Sequence, residues 1–301
     1  MKLTGLIAAP HTPCNTDYSL NPEAVAKQAW HLSNTGVKGV FVGGTTGECH
    51  SYSTEERIEL FKAWGDAAKA NDLVNIAHVG HNNLPDAQAL AEAAQESGAD
   101  AIGAMAPNFF KPGSVKELLD WFALVTEVAS ELPFYFYDIP GMTGVSLDTA
   151  EFLRNGRDRL PSLAGVKFTN PDQELLAECM QMESGSFDIL FGTDEKLIEG
   201  LQLGCHGAVG SSYNFAANIY HPILDAHEQG DLETAKLWQD RSIKTIDTIA
   251  AHGYLSAAKM VMKMIGVDCG PARPPLPSLT EPDGSALEKE LKEIGFFDWI
   301  A

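Results

Sequence analysis

Eight short apolar segments recur along the chain, and most are continuous hydrophobic runs without regular alternation of apolar and polar positions. Continuous runs of this length are typical of β-strands that are covered on both faces. Roughly 20 to 35 residues separate the starts of successive segments, which leaves room for one helix after each strand. The segments cover residues 3–10, 39–43, 74–80, 101–107, 134–140, 163–169, 188–193 and 207–211.

Between these segments the sequence carries signals for the start of helices. Ser53 with Glu56, and Ser114 with Glu117, have the spacing of a capping box, in which each side chain bonds the backbone N–H of the other residue. With the glycine and proline positions that begin and end helices, these signals predict helices over residues 57–70, 86–97, 118–130 and 195–203.

The alternation of eight strands with helices predicts an α/β fold, a (β/α)8 TIM barrel over residues 1–214. A doubly wound open sheet is the alternative, but the first strand lacks the GxGxxG turn expected there. After residue 214 the pattern changes to helices without strands, at 216–229, 232–252, 254–265 and 285–294, with a proline-rich linker at 271–277. We therefore interpret residues 215–301 as a C-terminal helical extension packed on the barrel.

The chain has 301 residues and a formal net charge of −20. Such a surface repels polyanions, so nucleic acid and anionic membrane surfaces are poor partners. No apolar run reaches roughly 18 residues, so no transmembrane helix is expected. The apolar part of residues 1–15 is short and is followed by prolines, so we interpret it as the first strand and not as a signal peptide. An anionic substrate would need local hydrogen-bond donors that capture it against this overall field.

The five cysteines are scattered, odd in number and without CxxC spacing. This arrangement argues against a disulfide framework and against a zinc site. His78 and His81 are three positions apart on a predicted strand, where side chains at that spacing point to opposite faces, so they are not expected to form a metal pair. The sequence therefore predicts a protein of the reducing cytoplasm without a metal site.

Lys167 stands inside the sixth apolar segment, near the end where a barrel of this kind carries its reactive groups. Burying an unpaired ammonium is costly, so such a lysine loses its proton more easily or does covalent chemistry. We interpret Lys167 as an amine nucleophile that forms a Schiff base. The alternative is a lysine at the barrel rim that pairs with a carboxylate. Lys38 begins its strand, at the wrong end, and Lys259 and Lys263 belong to a helical pattern in which their ammonium groups are expected to reach solvent.

Two other strand ends carry candidate groups. The second strand is followed by GGTTGE, in which Thr45 and Thr46 add hydroxyl donors to the exposed N–H groups of a glycine-rich turn, a combination suited to a carboxylate. A plain strand-to-helix turn is the alternative, and the GKS or GKT of a P-loop is missing. Tyr137 ends the fifth strand, where its hydroxyl could relay a proton. A tyrosine that only packs is the alternative, and Tyr135 shares the same face of the strand.

The last strands also end in polar residues. The seventh is followed by Gly192, Asp194 and Glu195, which could bind substrate hydroxyls, although Asp194 also suits the N-cap of the next helix. Ser211 and Ser212 follow the eighth strand.

Five motifs carry a family resemblance when they are taken in order: GGTTGE, YDIPG, GVKFT, FGTDE and GAVGSSYN. Over residues 3–265 the sequence resembles the pyruvate-dependent class I aldolases of the N-acetylneuraminate lyase and dihydrodipicolinate synthase superfamily. The resemblance implies that Lys167 forms the Schiff base and that Tyr137 relays protons. It further implies that Thr45 and Thr46 hold the carboxylate of the substrate.

Several positions indicate the lyase branch of this superfamily. Met142 stands where dihydrodipicolinate synthases usually carry an arginine. Phe109 and Phe110 stand in a loop where many members carry a relay tyrosine, so no tyrosine relay is expected through it. The lyase branch implies contacts with the glycerol-like tail of a sugar acid from Thr169, Gly192, Asp194, Glu195 and Ser211, with Tyr254 as a weaker candidate.

The resemblance implies a reversible aldol cleavage of N-acetylneuraminate to pyruvate and N-acetylmannosamine, with no cofactor, in a homotetramer whose partners are these small molecules. A dihydrodipicolinate synthase or another keto-sugar-acid aldolase is the alternative within the superfamily. A barrel that binds a keto acid without catalysis is the alternative of another class. Such a barrel would be marked by loss of the lysine or the tyrosine, and both are present.

Overall fold

Eight parallel strands close into a barrel in sequence order, and the first strand pairs with both the second and the eighth. The structure is a computed structural model that describes residues 2–301. It confirms the predicted (β/α)8 fold, and each observed strand lies within a predicted apolar segment. The strands are β1 (Gly5–Ala8), β2 (Gly39–Val42), β3 (Val74–His78), β4 (Ala101–Met105), β5 (Phe134–Asp138), β6 (Leu163–Phe168), β7 (Asp188–Phe191) and β8 (Gly207–Gly210).

The continuous apolar runs have a direct explanation in the barrel. Along each strand, alternate side chains point into the barrel and towards the surrounding helices. Ile7 and Phe41 belong to the cluster that fills the interior. Leu6 and Val40, one position away, pack in the layer between strands and helices. Both faces of the strands are therefore largely buried, and a polar side chain on either face needs a hydrogen-bond partner.

Helices follow the strands and continue beyond the barrel. Among residues 2–301, no helix combines the length and the apolar character needed to cross a membrane. Short 3₁₀ turns occur at Pro22–Ala24, Cys49–Ser51, Glu127–Ala129, Met182–Gly185 and Asp194–Lys196. The helices are α1 (Val25–Asn34), α2 (Thr54–Ala70), α3 (Leu84–Glu96), α4 (Val115–Thr126), α5 (Pro140–Thr143), α6 (Thr149–Arg159), α7 (Gln173–Gln181), α8 (Leu197–Gln202), α9 (Tyr213–Glu228), α10 (Leu232–Ala250), α11 (Tyr254–Met264), α12 (Glu281–Ile294) and α13 (Phe296–Ile300).

The two predicted capping boxes have different outcomes. Ser53 and Glu56 form both reciprocal hydrogen bonds at the start of α2. Ser114 accepts from the N–H of Glu117 at the start of α4. The Glu117 carboxylate, however, accepts from the backbone N–H of Gly113, at 2.7 Å, so only half of the second box forms.

The last long helix was predicted from residue 285, and it begins four residues earlier at Glu281. Thr280 and Asp283 form a capping box there, and Pro282 occupies the first turn, where its missing N–H costs nothing. The prediction of a helix over 285–294 missed this start signal.

The C-terminal helices pack on the barrel and on each other. Helix α9 contacts β1 and α10, and α10 contacts α11 and α12. Residue 214, the predicted boundary between barrel and extension, is the second residue of α9. The division of the chain at this residue stays a prediction, because α9 contacts both strand β1 of the barrel and helix α10 of the extension.

Candidate active site

A cavity of about 300 Å³ opens at the carboxyl ends of the strands. It brings together all the predicted site residues except Glu195, which is exposed on the 3₁₀ turn beside it. Residues distant in sequence meet here because the ends of parallel strands share one rim. The cavity is lined by Ala9, Thr45, Thr46, Tyr137, Met142, Lys167, Thr169, Gly192, Asp194, Val209, Ser211, Tyr254 and Leu255.

Lys167 is buried in the barrel mouth and is 4% exposed. Its Nζ lies 3.8 Å from the ring centroid of Tyr137 and 4.3 Å from that of Phe41, so aromatic faces, and no carboxylate, surround the amine most closely. Burial lowers the pKa of Lys167 to about 7, although the more distant Asp194 and Cys49 oppose the shift. A large share of this lysine is therefore an uncharged nucleophile at neutral pH.

Tyr137 lies directly opposite Lys167, since the two residues are paired in the β5–β6 register. Its hydroxyl is 3.3 Å from the Oγ1 of Thr45. Burial raises the pKa of Tyr137 to about 12, so the phenol holds its proton at neutral pH. It can therefore first act as a proton donor in the site.

Tyr135 points to the other end of the barrel interior, which resolves the ambiguity between the two tyrosines. Its hydroxyl donates to Oδ2 of Asp188, at 2.9 Å. The same oxygen accepts from the backbone N–H of Leu3, also at 2.9 Å. These three residues close the base of the barrel beneath the cavity, and only Tyr137 reaches the mouth.

The GGTTGE turn is held from several neighbouring segments. Gly43 and Glu48 both have a left-handed backbone, at φ of 65° and 55°. The hydroxyl of Thr12, after β1, donates to the Gly47 carbonyl oxygen at 2.7 Å. His78, the last residue of β3, bonds the Gly43 carbonyl oxygen through Nδ1 at 3.0 Å. This bracing presents the two threonines of the turn to the cavity.

Asp194 forms the opposite wall as a buried carboxylate. Its Oδ2 accepts from the backbone N–H of Ser212, at 2.8 Å, and from the Ser212 hydroxyl. Burial raises the pKa of Asp194 to about 6. The residue does not cap a helix, since Thr193 occupies the N-cap position of the turn. A Cβ at Gly210 would lie 2.4 Å from Oδ1 of Asp194, so this glycine makes room for the carboxylate.

Thr169 and Gly192 form a narrow part of the same wall. The Oγ1 of Thr169 is buried and makes no hydrogen bond with any other residue in the described range 2–301. A Cβ on Gly192 would lie 2.0 Å from this oxygen. The glycine therefore leaves space beside a free hydroxyl, as a pocket for a polar ligand requires.

Helix α11 supplies two lining residues. Tyr254, a weaker candidate from the sequence, bonds Ser211 with 2.8 Å between the hydroxyl oxygens. Leu255 also lines the cavity and was not predicted. No strand-end signal marks this helix, because it reaches the mouth by packing of the C-terminal segment.

The prediction for Lys259 was wrong. Its side chain is 2% exposed and its Nζ pairs with the Glu48 carboxylate at 2.7 Å. The loops that follow β1 and β2 cover this face of α11, and the helical pattern alone cannot show that cover. Lys263, one turn further along the helix, is exposed as predicted.

Comparisons with known proteins agree on one family. The model described as the dihydrodipicolinate synthetase family matches residues 2–294. The chain is 37% identical to N-acetylneuraminate lyase of Rattus norvegicus, over 99% of this chain and 94% of the rat protein. The structure of Proteus mirabilis N-acetylneuraminate lyase is similar with a TM-score of 0.95 and 36% identity, covering 98% of this chain and 100% of that one.

A native structure of the lyase, or sialic acid aldolase, from Aliivibrio salmonicida is equally similar, with a TM-score of 0.95, 36% identity and 98% coverage of both chains. The match to the family model and the similarity to these relatives extend over nearly the whole length of the chain. With its barrel and its strand-end motifs, the chain belongs to the dihydrodipicolinate synthetase family.

Proposed function

We propose that this protein is a class I aldolase that reversibly cleaves N-acetylneuraminate to pyruvate and N-acetylmannosamine. The observation that carries the proposal is the buried Lys167 amine, with a pKa of about 7, beside Tyr137 in the cavity. The lyase relatives named above support the choice of substrate. The proposed partners of the protein are these small molecules.

Substrate binding begins with the carboxylate of the open-chain sugar acid. Thr45 and Thr46 bind it with their hydroxyls and with nearby N–H groups of the turn. These donors offset the repulsion between the anionic substrate and a chain whose net charge is −20. The substrate ketone then lies above Lys167, on the side of the cavity that Tyr137 forms.

The first covalent step joins the neutral Lys167 amine to the C2 ketone. The resulting carbinolamine loses its hydroxyl as water, with the proton supplied by the phenol of Tyr137. The products are a protonated imine on Lys167 and a tyrosinate. The imine is the electron sink that a metal ion would otherwise supply, so the chemistry needs no cofactor.

Cleavage returns the proton to Tyr137. As the C3–C4 bond breaks, the C4 hydroxyl gives its proton to the tyrosinate through the carboxylate of the substrate, which leaves an aldehyde and an enamine on Lys167. Tyr137 next protonates C3 of the enamine, and the renewed imine takes up water. The tyrosinate recovers a proton from this water as pyruvate leaves and the amine is restored.

The remaining wall residues bind the polar tail of the sugar. Asp194 accepts hydrogen bonds from vicinal hydroxyls, as a carboxylate in a polar pocket can. Thr169 and Ser211 add hydroxyls, and Gly192 provides the space between them. Glu195, at the rim, binds the end of a sugar tail that is long enough to extend out of the cavity.

Met142 favours the lyase over a dihydrodipicolinate synthase. Its side chain lines the cavity at the position where the synthase pattern has an arginine. The guanidinium of the synthase pattern is therefore replaced by an apolar group. Substrate screening separates the two activities, because only the lyase releases pyruvate from N-acetylneuraminate.

The direct test treats the protein with pyruvate and borohydride and reads the intact mass. Reduction of the imine should add one pyruvate-derived group at Lys167, located by peptide mapping. An assay of pyruvate released from N-acetylneuraminate completes the test. A protein that shows a pyruvate-dependent shift in melting temperature but neither adduct nor turnover would instead be a non-catalytic keto-acid-binding barrel.

The pH dependence of kcat/KM should report the Lys167 amine. Below its pKa of about 7 the lysine becomes protonated and cannot attack, so kcat/KM should fall by up to about tenfold per pH unit as the pH decreases. Initial rates of N-acetylneuraminate cleavage between pH 5 and 9 measure this profile. A kcat/KM that keeps rising through pH 9, without levelling off above pH 7, would contradict the proposed nucleophile.

Gly192→Ala should weaken binding of the sugar tail. The new methyl would approach the Oγ1 of Thr169 to 2.0 Å and the Phe168 carbonyl oxygen to 2.9 Å, so the wall must shift. We expect kcat/KM for N-acetylneuraminate to fall by about tenfold to a hundredfold, while pyruvate is still trapped on Lys167.

Gly141→Ala is the matched control for this substitution. A Cβ at this position, in α5, meets no atom within 4 Å. Its kinetics should equal those of the unaltered enzyme. Equal kcat/KM for the two alanine variants would show that the wall at Gly192 does not contact the substrate.

For assembly and location we propose a homotetramer in the cytoplasm. Phe109 and Phe110 are 77% and 85% exposed and lie edge to face, a surface suited to a subunit contact. All five cysteines are free and buried, which suits a reducing compartment. Light scattering coupled to gel filtration tests the assembly, and cell fractionation tests the location.

A further inference from the structure

Lys259 is buried behind the GGTTGE turn, where three oxygen atoms lie close to its ammonium group. Its Nζ lies 2.7 Å from Oε1 of Glu48. The same nitrogen donates to the carbonyl oxygens of Thr12, at 2.9 Å, and Pro271, at 2.8 Å. The ammonium therefore donates two hydrogen bonds to backbone carbonyls and forms an ion pair with Glu48, and these contacts come from three separate segments of the chain.

The Glu48 carboxylate is held on its second oxygen as well. Its Oε2 accepts from the backbone N–H of Arg273, at 2.7 Å. The Arg273 guanidinium donates to the Ser51 carbonyl oxygen at 2.9 Å and to the Glu56 carboxylate at 2.8 Å. Lys259 and Arg273, both from the C-terminal region, thus contact the two carboxylate oxygens of Glu48 at the end of the turn. Arg273 also bonds Glu56 in α2.

Glu48 connects the ion pair with Lys259 to Thr45 and Thr46, the threonines proposed to bind the substrate. Its backbone is left-handed, which a residue with a side chain keeps only where its surroundings impose it. Its N–H donates to the Thr45 carbonyl oxygen at 3.0 Å. Thr12 contributes again, because its hydroxyl binds Gly47 while its carbonyl binds Lys259. A change at Lys259 therefore acts on the turn at two points.

Stability alone does not account for such a pair. Taking two charges out of water costs about as much as their attraction returns, and apolar replacements of buried pairs are often as stable. A buried pair does, however, fix the relative position of the two segments that carry it. Here those segments are α11 and the turn that carries Thr45 and Thr46.

We propose that Lys259 is a positioning residue, which by pairing with Glu48 sets Thr45 and Thr46 in the orientation that receives the carboxylate of the 2-oxo acid. Lys259 does not line the cavity and acts only through the turn. The role rests on the proposed function, since it concerns binding of that carboxylate. Through this role of Lys259, helix α11 of the C-terminal region becomes necessary for substrate binding.

The test measures how borohydride trapping on Lys167 depends on pyruvate concentration. Lys259→Met should raise the half-saturating concentration of pyruvate by about tenfold, while the fraction of protein labelled at saturation stays the same. Lys263→Met, an exposed position on the same helix, is the matched control and should not change either quantity. A merely structural role would reduce the labelled fraction and leave half-saturation unchanged, and that result would overturn the proposal.

Lys259→Met leaves the Glu48 charge buried and unpaired, so it could unfold the protein. The double variant Lys259→Met/Glu48→Gln removes both charges and should show the same increase in half-saturation with native circular dichroism. If the half-saturating pyruvate concentration of this variant equals that of the unaltered protein, the proposed role of Lys259 is overturned, while the proposed function is not affected. Absence of trapping in the unaltered protein would instead overturn the proposed function, together with the role that depends on it.

Discussion

Replacing Lys167 by methionine should abolish pyruvate release and eliminate the borohydride adduct. Methionine has a similar length and no amine, so the covalent route is lost while the shape of the cavity is kept. We expect kcat to fall by at least about 10⁴-fold, the range seen when a covalent nucleophile is removed. Lys38 is an exposed lysine just before β2, so Lys38→Met is the matched control and should leave kcat unchanged.

The same substitution should make the protein more stable, which separates loss of chemistry from loss of folding. The folded-state pKa of Lys167 is about 7, against the ordinary value of 10.5. The unfolded chain therefore binds more protons between these values. The cost of burying the lysine is present in full below pH 7 and fades as the pH rises towards 10.5. At pH 7 this cost is on the order of 4 kcal/mol, the stabilisation expected for Lys167→Met in denaturant unfolding.

An inactive Lys167→Met protein that is also less stable would leave misfolding as the explanation. A variant that keeps its turnover within about tenfold would exclude the Schiff base. Only the second result would require the central role of Lys167 to be abandoned. Unfolding curves at pH 7 and pH 9 add a further check, because the gain in stability should be smaller at the higher pH.

Tyr137→Phe has the second-largest expected effect. The phenylalanine keeps the ring that packs against Lys167 and removes the hydroxyl that gives and takes protons. General acid–base catalysis by a placed side chain contributes about 10²–10⁴-fold, so kcat should fall within this range. Pyruvate should still be trapped by borohydride, more slowly, because the amine remains in place.

Tyr135→Phe is an unusually close control, since it lies two residues earlier on the same face of β5. Its hydroxyl bonds Asp188 at the base of the barrel, at 2.9 Å, far from the mouth. We expect a loss of about 1 kcal/mol in the free energy of unfolding and an unchanged kcat. Equal losses of kcat in the two variants would show that Tyr137 acts through packing and not through its hydroxyl.

Much of the fold and part of the site could be predicted because both depend on local sequence. Each strand is a continuous apolar run, and the carboxyl ends of parallel strands meet at one rim. Residues such as Lys167 and Tyr137 could therefore be placed together without knowledge of any contact. The resemblance of the motifs then supplied roles that position alone does not reveal.

The residues that were not predicted, Leu255 and Lys259, do not follow a strand. Leu255 and Lys259 lie on α11, which returns to the mouth through packing of the C-terminal helices. Helical periodicity describes which faces are apolar, and it does not say which loop covers a given face. Lys259 was therefore assigned to solvent, although its partners Glu48 and Thr12 lie more than two hundred residues away in the sequence.

Under the proposed chemistry, the base of the barrel bears on the order in which the two products leave. Asp188, with Tyr135 and the N–H of Leu3, seals the lower end, so the upper opening serves as both entrance and exit. Under the proposed chemistry, the hydrolytic water must enter through the passage that the newly formed aldehyde occupies. N-acetylmannosamine therefore departs first and pyruvate last, and in the condensation direction pyruvate must load before the sugar. Steady-state inhibition patterns should accordingly show an ordered mechanism, with pyruvate competitive against N-acetylneuraminate.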